Sequence, residues 1–438
     1  MSNQSKQWGA ILVMIALFAM IAFVTNLCSP MAVIVKNQFG ASNLESQIGN
    51  YGNFIAYLVM GVPSGILLKK IGYKKTALLA LIVGIVGVFI QYMSSWESLS
   101  GCAFAVYLVG AFIAGFCMCM LNTVVNPMLN ILGGGGNKGN QLIQIGGVFN
   151  SAAAVAVYIL MGALIGDAAR ARVSDATPAL FIALGVFIVA FIVIFFTKIE
   201  EPAQPKEEKS GKKDKYSAFS FRHFKLGILA IFLYMGIEVG VPTYILQYLT
   251  APVTAEAGMA TGMGMDAGIV GLIVAVYWLM MLVGRLVGGT IGGKVSSRAM
   301  ITTVATASII LIAFGMFAPS DVTMSVPGVD WANVSLIWAD VPVGIFAFIL
   351  VGLCTSVMWG GIFNMAVEGL GKYTAIASGA FMTMVFGCAV MVAIQAWIAD
   401  LTGSYLTSYF VPLGCAAYIL YYALIGSKNV NTDIPVGE

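Results

Sequence analysis

The sequence is short of charge: Asp, Glu, Lys and Arg make up only 9% of its 438 residues. About a quarter of an ordinary soluble domain is charged, because water must be met over the whole surface. Histidine is nearly missing too, and the single one, His223, falls in a basic stretch. Nucleophilic catalysis by a Ser-His or Cys-His arrangement is therefore excluded by inventory, and the chain does not read as an enzyme. Cysteine is sparse and unpatterned. Cys28, Cys102, Cys117, Cys119, Cys354, Cys388 and Cys415 lie in or beside apolar stretches and form no zinc spacing. Gly133–Gly136 imitates a phosphate loop, but it follows no strand and lacks the Lys-Ser/Thr ending, so it reads as a flexible loop. Without a nucleotide motif an ATP-driven pump is excluded, and neither cofactor nor metal is expected. The net charge of +3 carries no signal for nucleic acid, since the basic residues sit between apolar runs.

What is present is apolar residue in long runs. Hydrophobic residues account for 60% of the chain and the mean hydropathy is +0.93. A bilayer is the solvent that such a composition fits, at about 20 apolar residues per helical crossing. Apolar windows predict twelve spans at 8–36, 46–68, 76–95, 101–131, 141–166, 178–197, 225–249, 267–291, 299–318, 340–366, 375–399 and 405–426. Unbroken runs of this length predict helices; barrel strands are short and alternating. The first run has no small-residue cleavage site and reads as a span, not a removed signal.

Basic residues orient the array. Lys69, Lys70, Lys74, Lys75, Lys138, the block Lys198–Lys225, Lys294, Arg298 and Lys372 share one side with the tail residues Lys6 and Lys428. The other side keeps Lys36, Arg170 and Arg172. The asymmetry predicts cytoplasmic termini. The one clear linker, 198–224, divides an N-terminal bundle (1–197) from a C-terminal one (225–438). A weak echo between Gly61–Lys75 and Gly284–Arg298, at the same place in each half, supports an internal repeat. The expected fold is all-α: twelve transmembrane helices in two six-helix pseudo-symmetric bundles around a central cavity, the major facilitator plan.

Few residues can carry function inside such a bundle. Glu238 is the one acid that falls deep in a span, about 20 Å along from Lys225 at helical rise. An ionisable group there is costly and is a functional candidate by default. It can donate to a polar solute when protonated and accept from one when ionised, so it is the proton-coupling candidate. Asn26, Asn53, Asn122, Asn150 and Gln247 are read at similar depth, and amides both donate and accept, as the hydroxyls of a polar solute do. Each serves equally well as interhelical glue. Trp278 and Trp359 offer aromatic faces on which the apolar side of a bound solute can stack, with a packed core aromatic as the plainer alternative. Arg285 and Glu368, at the ends of spans eight and ten, are candidates for a gate or for interfacial anchoring. Pro63, Pro127, Pro242 and Pro342 lie in or near spans, where they can kink helices.

Several stretches resemble the fucose:proton symporter family, which includes bacterial glucose/galactose transporters. They are Phe232-Leu-Tyr-Met-Gly-Ile-Glu-Val-Gly-Val, Tyr277-Trp-Leu-Met-Met-Leu-Val-Gly-Arg-Leu, Ala366-Val-Glu-Gly-Leu-Gly-Lys, Asn126-Pro-Met-Leu-Asn-Ile-Leu-Gly and Phe149-Asn-Ser. They stand in family order across both halves. The resemblance implies a monosaccharide carrier of the bacterial inner membrane, working as a monomer and coupled to a proton, or to sodium in its place. Glu238 falls on a glutamate of the family pattern. Two departures stand out. Ser29, in Asn26-Leu-Cys-Ser-Pro, takes the place of an acid tied to coupling, and Asn122 replaces a glutamate of fucose-type members. They argue against coupling through the N-terminal half and against fucose itself. The alternatives are a sugar uniporter, a carrier of an amino sugar or nucleoside, and a transporter-like sugar sensor.

Overall fold

The computed structural model describes residues 2–436 apart from 47, 133–135, 166–170, 198–215, 255–259, 292–294, 331–334, 371–372 and 432. Most of the linker and most of the glycine-rich loop Gly133–Gly136 thus lie outside the described residues, as do Arg170, Lys294 and Lys372.

Apolar runs fold as helices here because a helix satisfies every peptide group within its own segment. The chain opens with α1 (Ser2–Phe39), a single turn α2 (Asn43–Ser46) and the long α3 (Ile48–Met93). α3 holds the second and third spans in one run, turned at Gly72, whose φ is 83 and ψ 175. Side chains are excluded from that region of backbone space. Thr76 then caps the second arm through its hydroxyl, which donates to the Gly72 carbonyl at 2.6 Å. Gly72→Ala is expected to cost about 1–3 kcal/mol. A lowered thermal unfolding midpoint in detergent would register it, and an unchanged midpoint would contradict it.

A short 3-10 turn leads into α4 (Ala103–Leu132), followed by α5 (Gly136–Ile165) and α6 (Thr177–Phe196). The second half begins with α7 (Arg222–Thr250), α8 (Ala267–Ile291) and α9 (Ser297–Phe317). Among the described residues, eleven helical stretches are long and apolar enough to cross a membrane, and Gly52–Leu68 is a shorter apolar one. Burial sorts them: in α6 and α9 only 28% of the apolar window is covered by protein, against 67% in α8 and in Val343–Val367. α6 and α9 are thus the peripheral helices, and α8 and the tenth span are central.

Long apolar runs predicted no strands, and here the structure corrects the sequence reading. β1 (Thr323–Asp330) and β2 (Ser335–Pro342) form an antiparallel hairpin between the ninth and tenth spans. Exposure alternates along β2, so that Leu336, Trp338 and Asp340 are exposed while Ile337 and Ala339 are half-buried and Val341 is buried. The tenth span therefore begins at Val343, not 340, and it is broken into α10 (Val343–Thr355) and α11 (Met358–Val367). The eleventh is likewise interrupted, by a 3-10 turn between α12 (Thr374–Thr383) and α13 (Gly387–Thr402). α14 (Tyr405–Ser408) and α15 (Phe410–Tyr421), ending in a π turn, complete the array.

The first six spans meet the last six along three seams. α5 packs lengthwise on α8, α1 touches α7, and α3 leans on α12 and α13. These seams set the site between the halves.

Candidate functional site

The polar interior is organised around Glu238 on α7. Its carboxylate meets Arg285 of α8 across 3.5 Å, and each side chain is only 13% exposed. A pair so sheltered is poorly screened and holds its partners firmly. Arg285 also reaches across the seam between the halves. Its guanidinium donates to the Gly147 carbonyl of α5 at 2.5 Å and to the Ser151 hydroxyl at 2.9 Å. A planar guanidinium has donors enough for all three partners at once. Tyr277, one helical face away, donates to the Glu238 carbonyl at 3.1 Å and lies 3.3 Å from the Thr355 hydroxyl. Thr355 closes α10 just before its break, so the discontinuity of the tenth span abuts the ion pair.

Asn150, beside Ser151 on α5, donates to the Phe18 carbonyl of α1 at 3.2 Å. Asn122 donates to the Tyr57 hydroxyl at 2.7 Å and is followed one turn later by Asn126, which bonds back to the Asn122 carbonyl at 3.0 Å. Asn53 gives its amide to the Cys28 sulfur at 2.9 Å, leaving its Oδ1 buried without a partner. Asn26 spends its amide locally, on Ala22 of its own helix at 2.8 Å. Ser29, where the family pattern has an acid, is buried and sits 2.8 Å from the Thr243 hydroxyl of α7, which ties the halves together again.

Trp278 is buried, stacks on Tyr158 of α5 at 6.3 Å between centroids, and meets Tyr277 edge-on at 5.5 Å. Trp359 packs edge-on against Phe381 and 6.1 Å from Tyr234, which lies one turn before Glu238. Gln247 is separated from Glu238 by nine residues of α7, about 13 Å of rise, so it does not share the layer of the ion pair. It is buried with its Nε2 unpaired. Glu368 is exposed at the end of α11, and its carbonyl lies 2.9 Å from the His223 ring. Arg285 and Glu368 thus serve different neighbours: one is joined to Glu238 and α5, the other to the start of α7.

Residues outside the sequence-derived set belong to this interior as well. Ser151, Tyr158 and Tyr277 line the ion pair and the tryptophan. Gln395 on α13 is fully buried, and neither its Oε1 nor its Nε2 finds a hydrogen-bond partner. An amide inside an apolar run was the signal available for Gln395, the same that singled out Asn122. Buried polar atoms left unpaired cost about 1–3 kcal/mol each unless something else meets them. Asn53, Gln247, Gln395 and Thr25 hold such atoms.

The sequence profile described as Major Facilitator Superfamily matches residues 13–393. The chain belongs to the major facilitator superfamily. Within it, this facilitator is 27% identical over 436 residues to the glucose/galactose transporter of Brucella abortus, covering 98% of this chain and 96% of that one. It is 21% identical over 441 residues to the L-fucose-proton symporter of Escherichia coli, covering 94% and 92%. Among solved structures, FucP in the outward conformation superposes with a TM-score of 0.67 at 19% identity, over 96% of this chain and 99% of that one. The inward open xylose transporter XylE from E. coli gives 0.71 at 11% identity, over 96% of each. At those identities the structures establish the fold, which is the facilitator fold expected from the hydropathy.

Proposed function

We propose that the chain imports a neutral, hexose-like monosaccharide by alternating access, coupled to a proton through Glu238. The observation that carries this is the sheltered Glu238–Arg285 pair, whose arginine also holds α5 of the opposite half. In the ionised state the carboxylate shares Arg285 with Gly147 and Ser151. A proton on Glu238 discharges the pair and leaves the guanidinium to α5 alone, so protonation changes how the halves are joined. The amides and hydroxyls around the pair then meet a neutral polyol, with Asn122, Asn150 and Asn53 on one half and Trp278 and Trp359 on the other. Discontinuous α10/α11 supplies freed backbone groups beside the site, as in other carriers built on broken helices.

The names of the relatives supply the sugar class, since glucose/galactose and L-fucose carriers resemble this chain over nearly its whole length. Asn122, where fucose-type members carry a glutamate, favours a hexose of the glucose/galactose kind over fucose, and Ser29, in place of the family's coupling acid, leaves Glu238 as the coupling candidate. The same reading puts both termini in the cytoplasm of a bacterial inner membrane, with two halves (1–197 and 225–438) rocking as a monomer in the bilayer. A uniporter is the second reading, favoured by the presence of only one carboxylate at the centre.

Uptake of labelled hexoses into proteoliposomes, with and without an inward proton gradient, separates these. Glu238→Gln is expected to reduce gradient-driven uptake to the gradient-free level while sugar exchange persists. Gradient-independent uptake in wild type and variant alike would make the chain a uniporter. Failure to move any hexose would remove the substrate class and leave the carrier architecture standing.

A further inference from the structure

Lys36 was expected at the last position of the first span, on the side away from the termini, and it is buried there at the end of α1, with 7% of its surface exposed. A buried lysine needs partners, and here they come from both halves. Its ammonium donates to Asn43 Oδ1 at 2.8 Å and to the Tyr405 hydroxyl at 2.6 Å. Tyr405, on α14, donates to the same Asn43 oxygen at 2.7 Å. Asn43 in turn gives its amide to Asp400 of α13 at 2.6 Å, and the backbone N–H of Leu44 reaches the other carboxylate oxygen at 3.0 Å. Asn43 thus stands between the ammonium and the carboxylate and bonds to both. Tyr244 and Tyr248 of α7 wall the network, with ring centroids 6.2 and 6.4 Å from Tyr405.

We propose that Lys36, Asn43, Asp400 and Tyr405 form a latch that holds the halves shut at the end away from the termini, and that its release opens the transport path there. Two observations support it independently. First, the network joins α1 and α2 to α13 and α14, elements of opposite halves, through hydrogen bonds that run from a buried ammonium by way of Asn43 to a carboxylate. Second, the same end is closed by the α5–α8 seam, where Gly271 and Gly162 meet backbone to backbone. A sealed end must part in every transport cycle. Hydrogen bonds to one carboxylate and one ammonium suit that task, because water can replace them once the end opens. α2 is a single turn strung between two spans, so it can leave Asp400 with its own half. The proposal rests on the alternating-access part of the proposed function and not on its sugar or its proton.

Hydrogen–deuterium exchange of the full chain in lipid nanodiscs, without substrate, tests it. In Asp400→Asn, exchange is expected to quicken about tenfold over 36–46, 157–165, 267–273 and 398–406. It should slow over 378–386, where Thr383 of α12 faces Gly61 of α3 at the opposite end. Tyr405→Phe keeps the aromatic packing and removes one hydroxyl, so it should show the same pattern at smaller amplitude should the aspartate variant not fold. Faster exchange at both ends would mean general loosening and would overturn the latch. So would unchanged exchange in the two variants. Because no sugar is present, a failed uptake assay cannot imitate either result.

Discussion

Arg285→Met is expected to abolish gradient-driven uptake, lowering it about 100-fold or more relative to wild type. The argument is electrostatic. Arg285 balances Glu238 across 3.5 Å in a setting where each is 13% exposed. Removing one member of a buried pair typically costs about 3–5 kcal/mol, because the remaining charge has lost its counter-ion. At about 1.4 kcal/mol per factor of ten, that range spans roughly two to three and a half decades. The methionine also withdraws the donors that hold Gly147 and Ser151, so the central tie between α5 and α8 goes with the charge. Glu238→Gln combined with Arg285→Met removes both charges and leaves a neutral site of similar volume. Replacing both partners is often close to neutral for stability. Sugar exchange without a gradient should therefore recover in the double variant to within about tenfold of wild type, while gradient coupling stays lost. Uptake of Arg285→Met within twofold of wild type would remove the pair from the transport cycle.

The sequence made this pair half legible. Glu238 stands out because an acid in the middle of an apolar run has no cheap explanation. Arg285 was placed at the end of its span, by counting residues along α8. Its side chain does not stay at that level: side chains on a helix lean toward its N-terminus, and a long arginine leans furthest. That lean carries the guanidinium back to Glu238. The twelve spans were legible because hydropathy is a property of single segments. The break between α10 and α11 was not, since Thr355-Ser356 is a brief polar step inside a long apolar run and a hydropathy window averages over it. The hairpin escaped for the opposite reason: two eight-residue strands sit outside the runs that drew attention. Contacts between the halves, such as Lys36 with Tyr405, join positions 369 residues apart, and no local pattern announces them. Gln247 shows the limit of grouping residues by depth, since nine residues of one helix already set it about 13 Å from Glu238.

Gly271→Val is expected to arrest transport while leaving the protein folded, because it forces apart the seam that closes one end. A Cβ at Gly271 would lie 2.4 Å from the Tyr158 carbonyl oxygen of α5, and one at Gly162 would lie 2.8 Å from the Ala267 carbonyl of α8. Both obstacles are backbone, which cannot swing aside as a side chain can. Relief requires α5 and α8 to separate by about 1 Å, the gap between such a contact and an ordinary van der Waals distance. Overpacking of this kind costs typically about 1–3 kcal/mol, here charged only to the state in which the seam is closed. The closed state would lose about one to two decades of population, and the open state would gain them. Uptake and exchange should fall together, since both need the seam to close, and that separates this variant from Glu238→Gln, which keeps exchange. Gly289 on the same helix supplies the control: a Cβ there meets nothing within 4 Å, so Gly289→Val should transport at the wild-type rate. Equal activity in the two valine variants would show that α5 and α8 do not need their close approach. A loss in Gly271→Val alone would identify the glycine seam as the surface on which that end shuts.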